Sequence, residues 1–383
     1  MRYWILGILA LSGFVTSFGA HIVATNLPSY AEAVGVGAFT IGLLIAVYDF
    51  AELFAKPAAG FVADRYGMKR ILLAGLLVFI LGSALFLVIP PRLLLLVRFV
   101  QGLGAAALST ISITLVARYY SAERGRAFGI YNAIKGAGYV IAPAAGGFLT
   151  HRYGFAMLFI VSGAVGLVAL MLSLCLPGDR GARDVLADDE EVSFAQFLTT
   201  FRDRRLLPIY AVIVINMFMV GILFGFLPVY LHGLGYTAGE SGTVLSVCTA
   251  AYLLIQPLAG VLADRWDIRT TVMAGLLVAA LTVLTVTFTS GALLIGVVIL
   301  AGMGIGTVWT NSDALIAALA APAKLGASVG AAQSFKEFGD MVGPLLVGAL
   351  TQFYGVRTGF VTCGALALLF VIPLIRARTL RPA

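Results

Sequence analysis

Charge is what this chain has least of. Of its 383 residues only 11% are Asp, Glu, Lys or Arg, while 61% are hydrophobic and the mean hydropathy is +1.02. A soluble domain carries about 25% charged residues, so a soluble globular protein is excluded. Cysteine is scarce as well. Cys175, Cys248 and Cys363 show no CxxC spacing, which supplies neither a disulfide framework nor a metal site. His21, His151 and His232 are far apart and lack the spacing of metal ligands. There is no P-loop, no HExxH and no polar segment large enough to couple ATP hydrolysis or signal. GASVG at 326–330 fits GxSxG formally, but it opens an expected membrane helix with no strand before it. Neither an enzyme, a resident metal nor a cofactor is expected.

What is present instead is a series of apolar runs, each long enough to cross a ~30 Å hydrocarbon core. The short alternating segments of a β-barrel do not occur. Hydropathy predicts an all-α membrane protein with twelve transmembrane helices, roughly 5–27, 38–62, 71–89, 93–117, 126–150, 154–176, 208–231, 239–262, 271–289, 292–318, 327–351 and 357–375. Arg2 before the first run resembles the start of a signal peptide. Removing that run would leave eleven spans and spoil the repeat described below, so it is expected to remain.

The basic residues set an orientation. With both termini inside, eighteen of the 25 Lys and Arg residues fall in cytoplasmic segments and only Arg92, Arg152 and Arg357 in outer loops. That asymmetry predicts cytoplasmic termini and insertion in a cytoplasmic (inner) membrane. The net charge of +7 restates the same bias. Spread over short loops, the basic residues form no stripe for nucleic acid, and membrane lipids are their expected partners.

Shifted by 200 positions, the sequence matches itself. FAKPAAGFVADRYGMKRILLAGLLV (54–78) aligns with LIQPLAGVLADRWDIRTTVMAGLLV (254–278), pairing Pro57 with Pro257, Gly60 with Gly260 and Asp64-Arg65 with Asp264-Arg265. Lys135 and Pro143 match Lys336 and Pro344 at an offset of 201. Such a repeat predicts two pseudo-symmetric six-helix bundles of parallel topology, 1–176 and 208–383. The polar linker 177–207 between them carries Phe194, Phe197, Leu198 and Phe201 on one helical face, the pattern of an amphipathic helix at the inner surface.

These residues resemble the major facilitator superfamily. GFVADRYGMKR (60–70) is similar to that family's loop 2–3 signature, with a degenerate second copy at 260–270 where Asp267 replaces the glycine. RFVQGLGAA (98–106) is similar to its fourth-span signature. GYVIAPAAGG (138–147) is similar to the fifth-span signature of proton-driven drug antiporters, with Ala142 where a glycine is usual. The resemblance implies a cytoplasmic latch at Asp64 and Arg65, supported by Gly60, Gly67 and Arg70, and a gating bend at Gly138, Pro143, Gly146 and Gly147. Physically, Gly60 would allow close packing, Gly67 a tight turn, and Pro143 a bend where one helix hydrogen bond is lost. A turn that only fixes topology, and ordinary helix packing, are the plainer readings of the same residues.

Nine charges fall inside spans: Asp49, Glu52, Lys56, Arg98, Lys135, Asp313, Lys336, Glu337 and Asp340. Facing lipid at ~2.5–3.5 kcal/mol each they would cost roughly 25 kcal/mol, so they must pair or face a water-filled cavity. Asp49 lies ~16 Å into its span, near the midplane, with Glu52 and Lys56 on the same face. Glu52 with Lys56, and Lys336 with Asp340, stand at i,i+4 and could form intrahelical pairs; Asp49 and Asp313 have no base at i±3 or i±4. A carboxylate taken out of water can hold a proton near neutral pH. Asp49 is therefore the first candidate for proton coupling, followed by Glu52 and Asp340. Arg98 has Ile299 as its approximate counterpart, and the family resemblance links it to proton transfer or to holding a carboxylate. Asp313, Lys135, Lys336, Glu337, Asn311, His21 and Asn26 are candidates for the substrate cavity, although a lone His or Asn serves equally well as a satisfied core residue.

The expected function is secondary active transport by alternating access, as a monomer, with a small amphipathic or cationic compound exported against protons. An alternative keeps the fold and uses the Lys135/Lys336 pair to carry an organic anion or a phosphorylated or carboxylated metabolite.

Overall fold

The structure, a computed structural model, describes residues 3–27, 30, 35–120, 123–178, 205–320 and 325–376. Among these residues there is no strand, and each expected span has its helix. The helices are α1 (Tyr3–Ala24), α2 (Ala38–Tyr66), α3 (Met68–Leu85), α4 (Leu94–Tyr119), α5 (Arg124–Tyr153) and α6 (Ala156–Leu174). The second set is α7 (Leu207–Gly233), α8 (Ala238–Arg265), α9 (Ile268–Thr285), α10 (Gly291–Leu319), α11 (Leu325–Tyr354) and α12 (Val356–Arg376). The linker's amphipathic stretch around Phe194–Phe201 lies outside the described residues.

Nine of these helices are long and apolar enough to cross a membrane by length and composition, namely α1 to α4 and α6 to α10. Helices α5 and α11 have the length, at 30 residues each, but carry Lys135 in one and Lys336, Glu337 and Asp340 in the other. The apolar part of α12, Val356–Phe370, is shorter. Large apolar side chains such as Phe61, Leu254 and Phe353 are more than 70% exposed, as side chains turned toward lipid tails must be.

Alpha-carbon proximity divides the chain into two compact units. The first comprises Met1–Val36, Leu43–Asp189 and Leu231–Ser246. Within it α1 packs on α4, α5 and α6, and α3 packs on α4 and α6. Its core includes the fully buried Leu9, Leu72, Leu76, Phe79, Leu108 and Tyr131. The second unit comprises Gly37–Gly42, Glu190–Tyr230 and Val247–Ala383, with α9 packed on α10 and α12, and α11 packed on α12.

The internal repeat reappears as geometry. Proline lies inside α2 and α8 at Pro57 and Pro257, and inside α5 and α11 at Pro143 and Pro344. Gly102 of α4 abuts the Tyr48 carbonyl of α2, and 200 residues on Gly302 of α10 abuts the Cys248 carbonyl of α8. Gly104 and Gly304 likewise admit the backbone of Phe79 and Ala279. Small residues let membrane helices bring their backbones together where no hydrophobic effect drives association.

The two copies of the loop 2–3 turn differ in a way the sequence left unexplained. Gly67 has φ 101°, a conformation in which a side chain is strained, whereas Asp267 has φ 166°, extended backbone open to any residue. Asp267 then earns its place as the N-cap of α9, its carboxylate accepting from the Thr270 N–H at 3.1 Å and the Thr270 hydroxyl at 3.2 Å. The close packing expected at Gly60 is not found. No described atom lies within 4 Å of where its Cβ would be, because that face of α2 is open there.

Candidate functional site

In the first unit the charges gather around Arg98. Its side chain is 1% exposed, an unusual place for a guanidinium, and α4 can hold it there because Nε and Nη1 both find acceptors and the ring of Tyr48 faces the charge. Nε donates to the Leu44 carbonyl of α2 at 3.2 Å and Nη1 donates to the Gln101 side-chain oxygen at 2.8 Å. The guanidinium carbon lies 4.4 Å from the centroid of the Tyr48 ring, a cation–π contact. Gln101 in turn donates to Ser83 at 3.4 Å, and Ser83 meets Ser162 at 3.3 Å, so the arginine is fixed by a polar chain reaching α3 and α6.

Asp49 and Glu52, 7% and 8% exposed, act electrostatically on Arg98. Glu52 also forms the i,i+4 ion pair with Lys56 at 2.7 Å. Two carboxylates and two cations thus share one apolar neighbourhood, and each carboxylate is a place where a proton can be exchanged for an ionic contact.

Along α1 a smaller polar group meets α5. Ser17 donates to the Lys135 carbonyl at 2.6 Å, and the His21 ring nitrogen Nδ1 lies 2.9 Å from the Ser17 carbonyl, which requires the proton on Nδ1. The His21 and Tyr139 rings meet edge to face at 4.4 Å. Asn26 donates to the Ile22 carbonyl at 3.0 Å and lies where a Cβ on Gly146 would be. Gly138 admits the α1 backbone at Phe18, and Gly147 admits the carbonyl of Ala238. Lys135, Glu337 and Asp340 all have interaction partners.

In the second unit Lys336 goes to a different partner from the one spacing offered. Its ammonium donates to Asp313 of α10 at 2.8 and 2.9 Å, an interhelical pair, rather than to Asp340 one turn along its own helix. Sequence spacing could register only partners on the same helix. The Lys336 nitrogen also lies 4.5 Å from the centroid of Trp309. Asp340 instead lies against Gly221 of α7. Asn311, expected to line a cavity, donates to the Ala259 and Thr307 carbonyls at 3.3 and 2.9 Å and joins α10 to α8.

The cytoplasmic turn is only partly described. The Asp64 side chain lies outside the described residues, Arg65 is exposed with its guanidinium 5.7 Å from the Tyr66 ring, and Arg70 is exposed. Lys69 donates to the Leu174 and Leu176 carbonyls at 2.8 and 2.5 Å and so caps the end of α6. Sequence reasoning assigned no role to Tyr48, Gln101 or Trp309. Gln101 and Trp309 had left signals, Gln101 three residues after Arg98 within the fourth-span stretch and Trp309 four residues before Asp313, each on the same face as its charge.

Comparison with known proteins agrees with this architecture. The family model of the Major Facilitator Superfamily matches residues 9–251 and 231–383. The chain is 27% identical to the multidrug resistance protein Stp of Mycobacterium tuberculosis, over 88% of this chain and 73% of that protein. It is 25% identical to the multidrug resistance protein MdtG of Citrobacter koseri, over 94% and 91% respectively. In three dimensions it superposes on a crystal structure of a bacterial homologue of the human lysosomal transporter Spinster with a TM-score of 0.83, at 17% identity, over 98% of this chain and 97% of that one. The chain belongs to the Major Facilitator Superfamily, and is a multi-pass membrane transporter of small molecules rather than an enzyme.

Proposed function

We propose that the chain exports a small amphipathic or cationic compound in exchange for protons, by alternating access about a central site. The observation that carries this reading is the pair of buried carboxylates, Asp49 and Glu52, held beside the locked cation Arg98. Such a carboxylate binds either a proton or a cationic partner. Substrate and proton then disfavour each other by reciprocal linkage. One pH unit is worth ~1.4 kcal/mol, about tenfold in accumulation per proton exchanged. Relatives named for multidrug resistance support a drug-like cargo. Asp49 is the first coupling group, with Glu52, Asp340 and Arg98 assisting. The turn at 60–70 and the bend at Pro143 serve as gating elements. The reading includes a monomer in the cytoplasmic membrane of a bacterial cell, with both termini inside.

An anion carrier built on Lys135 and Lys336 is the weaker reading, because the Lys336 ammonium is already engaged by Asp313 and Trp309. The test is proton release in weakly buffered detergent on adding lipophilic cations. Release that disappears in Asp49→Asn supports exchange at that carboxylate. Undiminished release and efflux in Asp49→Asn would remove it from the mechanism, and proton uptake with an organic anion would favour the lysines.

A further inference from the structure

An ammonium already occupies a cation site in the second unit. The Lys336 nitrogen contacts both oxygens of Asp313, at 2.8 and 2.9 Å, and rests 4.5 Å from the centroid of the Trp309 ring. Trp309 and Asp313 are one helical turn apart on α10, so indole and carboxylate share a face. Tyr252 of α8 meets the indole at 5.6 Å and 74°, which fixes the plane over which the charge rests. A carboxylate beside an aromatic face is the chemistry that recognises organic ammonium and phosphonium ions.

The two members of the pair differ in access. The Lys336 side chain is 5% exposed, whereas that of Asp313 is 45% exposed. The carboxylate therefore keeps an open flank while the lysine reaches it from within the packed helices. A lysine is also an easily displaced occupant, since its ammonium is strongly hydrated and rides on a flexible four-carbon stem.

We propose that Lys336 is a tethered place-holder: an organic cation binds at Asp313 and Trp309 by displacing the lysine ammonium, not by contacting it. This rests on the reading of the chain as an exporter of cationic compounds, and assigns that reading a substrate class and a site. The tether competes with the substrate, so removing it tightens binding. Loss of a residue that contacts the ligand does the opposite.

The experiment is equilibrium binding of tetraphenylphosphonium, a permanent cation with no proton of its own, to the purified full chain. Lys336→Met keeps the length and apolar character of the stem and removes the charge. Its affinity rises about tenfold, the scale of one cation–π contact with a half-exposed ion pair. Asp313→Asn and Trp309→Leu weaken binding, and each erases the gain when combined with Lys336→Met. Neutral triphenylphosphine oxide shows no gain. Lys336→Gln, a second variant in case the first folds poorly, shifts affinity in the same direction. Binding to the native protein that neither lysine variant tightens overturns the place-holder alone, leaving proton release on cation binding to be judged at Asp49. No cation binding in the native protein or in either lysine variant overturns both readings.

Discussion

Gly42 lies so close to Pro344 that a Cβ on it would collide with the proline carbonyl oxygen and stand 3.0 Å from its carbon. Two hundred residues later Gly242 meets Pro143 in the same way, with the carbonyl carbon at 2.8 Å. Both contacts are with backbone, which cannot rotate aside as the end of a side chain can. Gly42→Leu and Gly242→Leu must therefore force the crossing helices apart, at a cost of about 1–3 kcal/mol. Thermal unfolding in detergent should show each variant clearly destabilised. Gly60→Ala, facing open space on the same helix as Gly42, should match or slightly exceed the native protein. Equal stability of all three variants would mean that the crossings are not close-packed.

The two copies of the loop 2–3 turn predict opposite tolerances. Gly67→Asp puts a side chain at φ 101° and costs roughly 1–2 kcal/mol. Asp267→Gly loses the cap on α9 but meets no strain, and costs only about a few tenths of a kcal/mol. Asp267→Ala should cost about 1 kcal/mol, because alanine neither caps nor frees the backbone. The ranking, read from urea or thermal unfolding of the purified variants, is what matters: a glycine tolerated at 267 and an aspartate tolerated equally at 67 would contradict it.

Much of this fold could be read from composition and periodicity, because lipid imposes one rule on every span. The repeat at 54–78 and 254–278 aligned Pro57 with Pro257, and the structure places both prolines inside helices. The glycines that join helices were harder to identify. Gly60 and Gly102 both stood in recognisable motifs, yet Gly60 faces open space and Gly102 touches backbone, as do Gly42, Gly242 and Gly302, which stood in none. Glu240, which lay at a span edge, closes a capping box with Thr237, whose N–H donates to it at 2.8 Å. The site was legible as a set of charges for which only same-helix partners could be assigned. Glu52 with Lys56 followed from spacing, but the Asp313–Lys336 pair joins two helices, and no period along one helix encodes that.

Lys69 and Arg70 are adjacent basic residues in the same turn with different work to do. Lys69 caps α6 through the Leu174 and Leu176 carbonyls, whereas Arg70 is exposed. Lys69→Met should cost about 1 kcal/mol, since a charge-assisted cap is lost where water can partly replace it. Arg70→Met should change stability by less than about 0.5 kcal/mol. Equal effects of the two substitutions would argue against the cap.

Arg98 and Asp49 offer a test of whether the buried charges act as one unit. Arg98→Ala leaves the Gln101 oxygen without the charged donor it accepts from and strips Asp49 and Glu52 of a compensating cation. Removing one member of a buried ionic cluster costs about 3–5 kcal/mol, mostly as an uncompensated charge. Arg98→Lys keeps the charge but loses the planar fork and the stacking over Tyr48, so it should recover only part of that loss. Adding Asp49→Asn to Arg98→Ala removes one of the stranded carboxylates and should be less damaging than the sum of the two single changes. The coupling should lie at about 0.5–3 kcal/mol in a double-mutant cycle on thermal stability. It should shrink at low pH, where protonation of the carboxylate does the work of the Asn. Strict additivity at neutral pH would mean that Asp49 and Arg98 do not sense each other, and would take the proton-exchange reading with it.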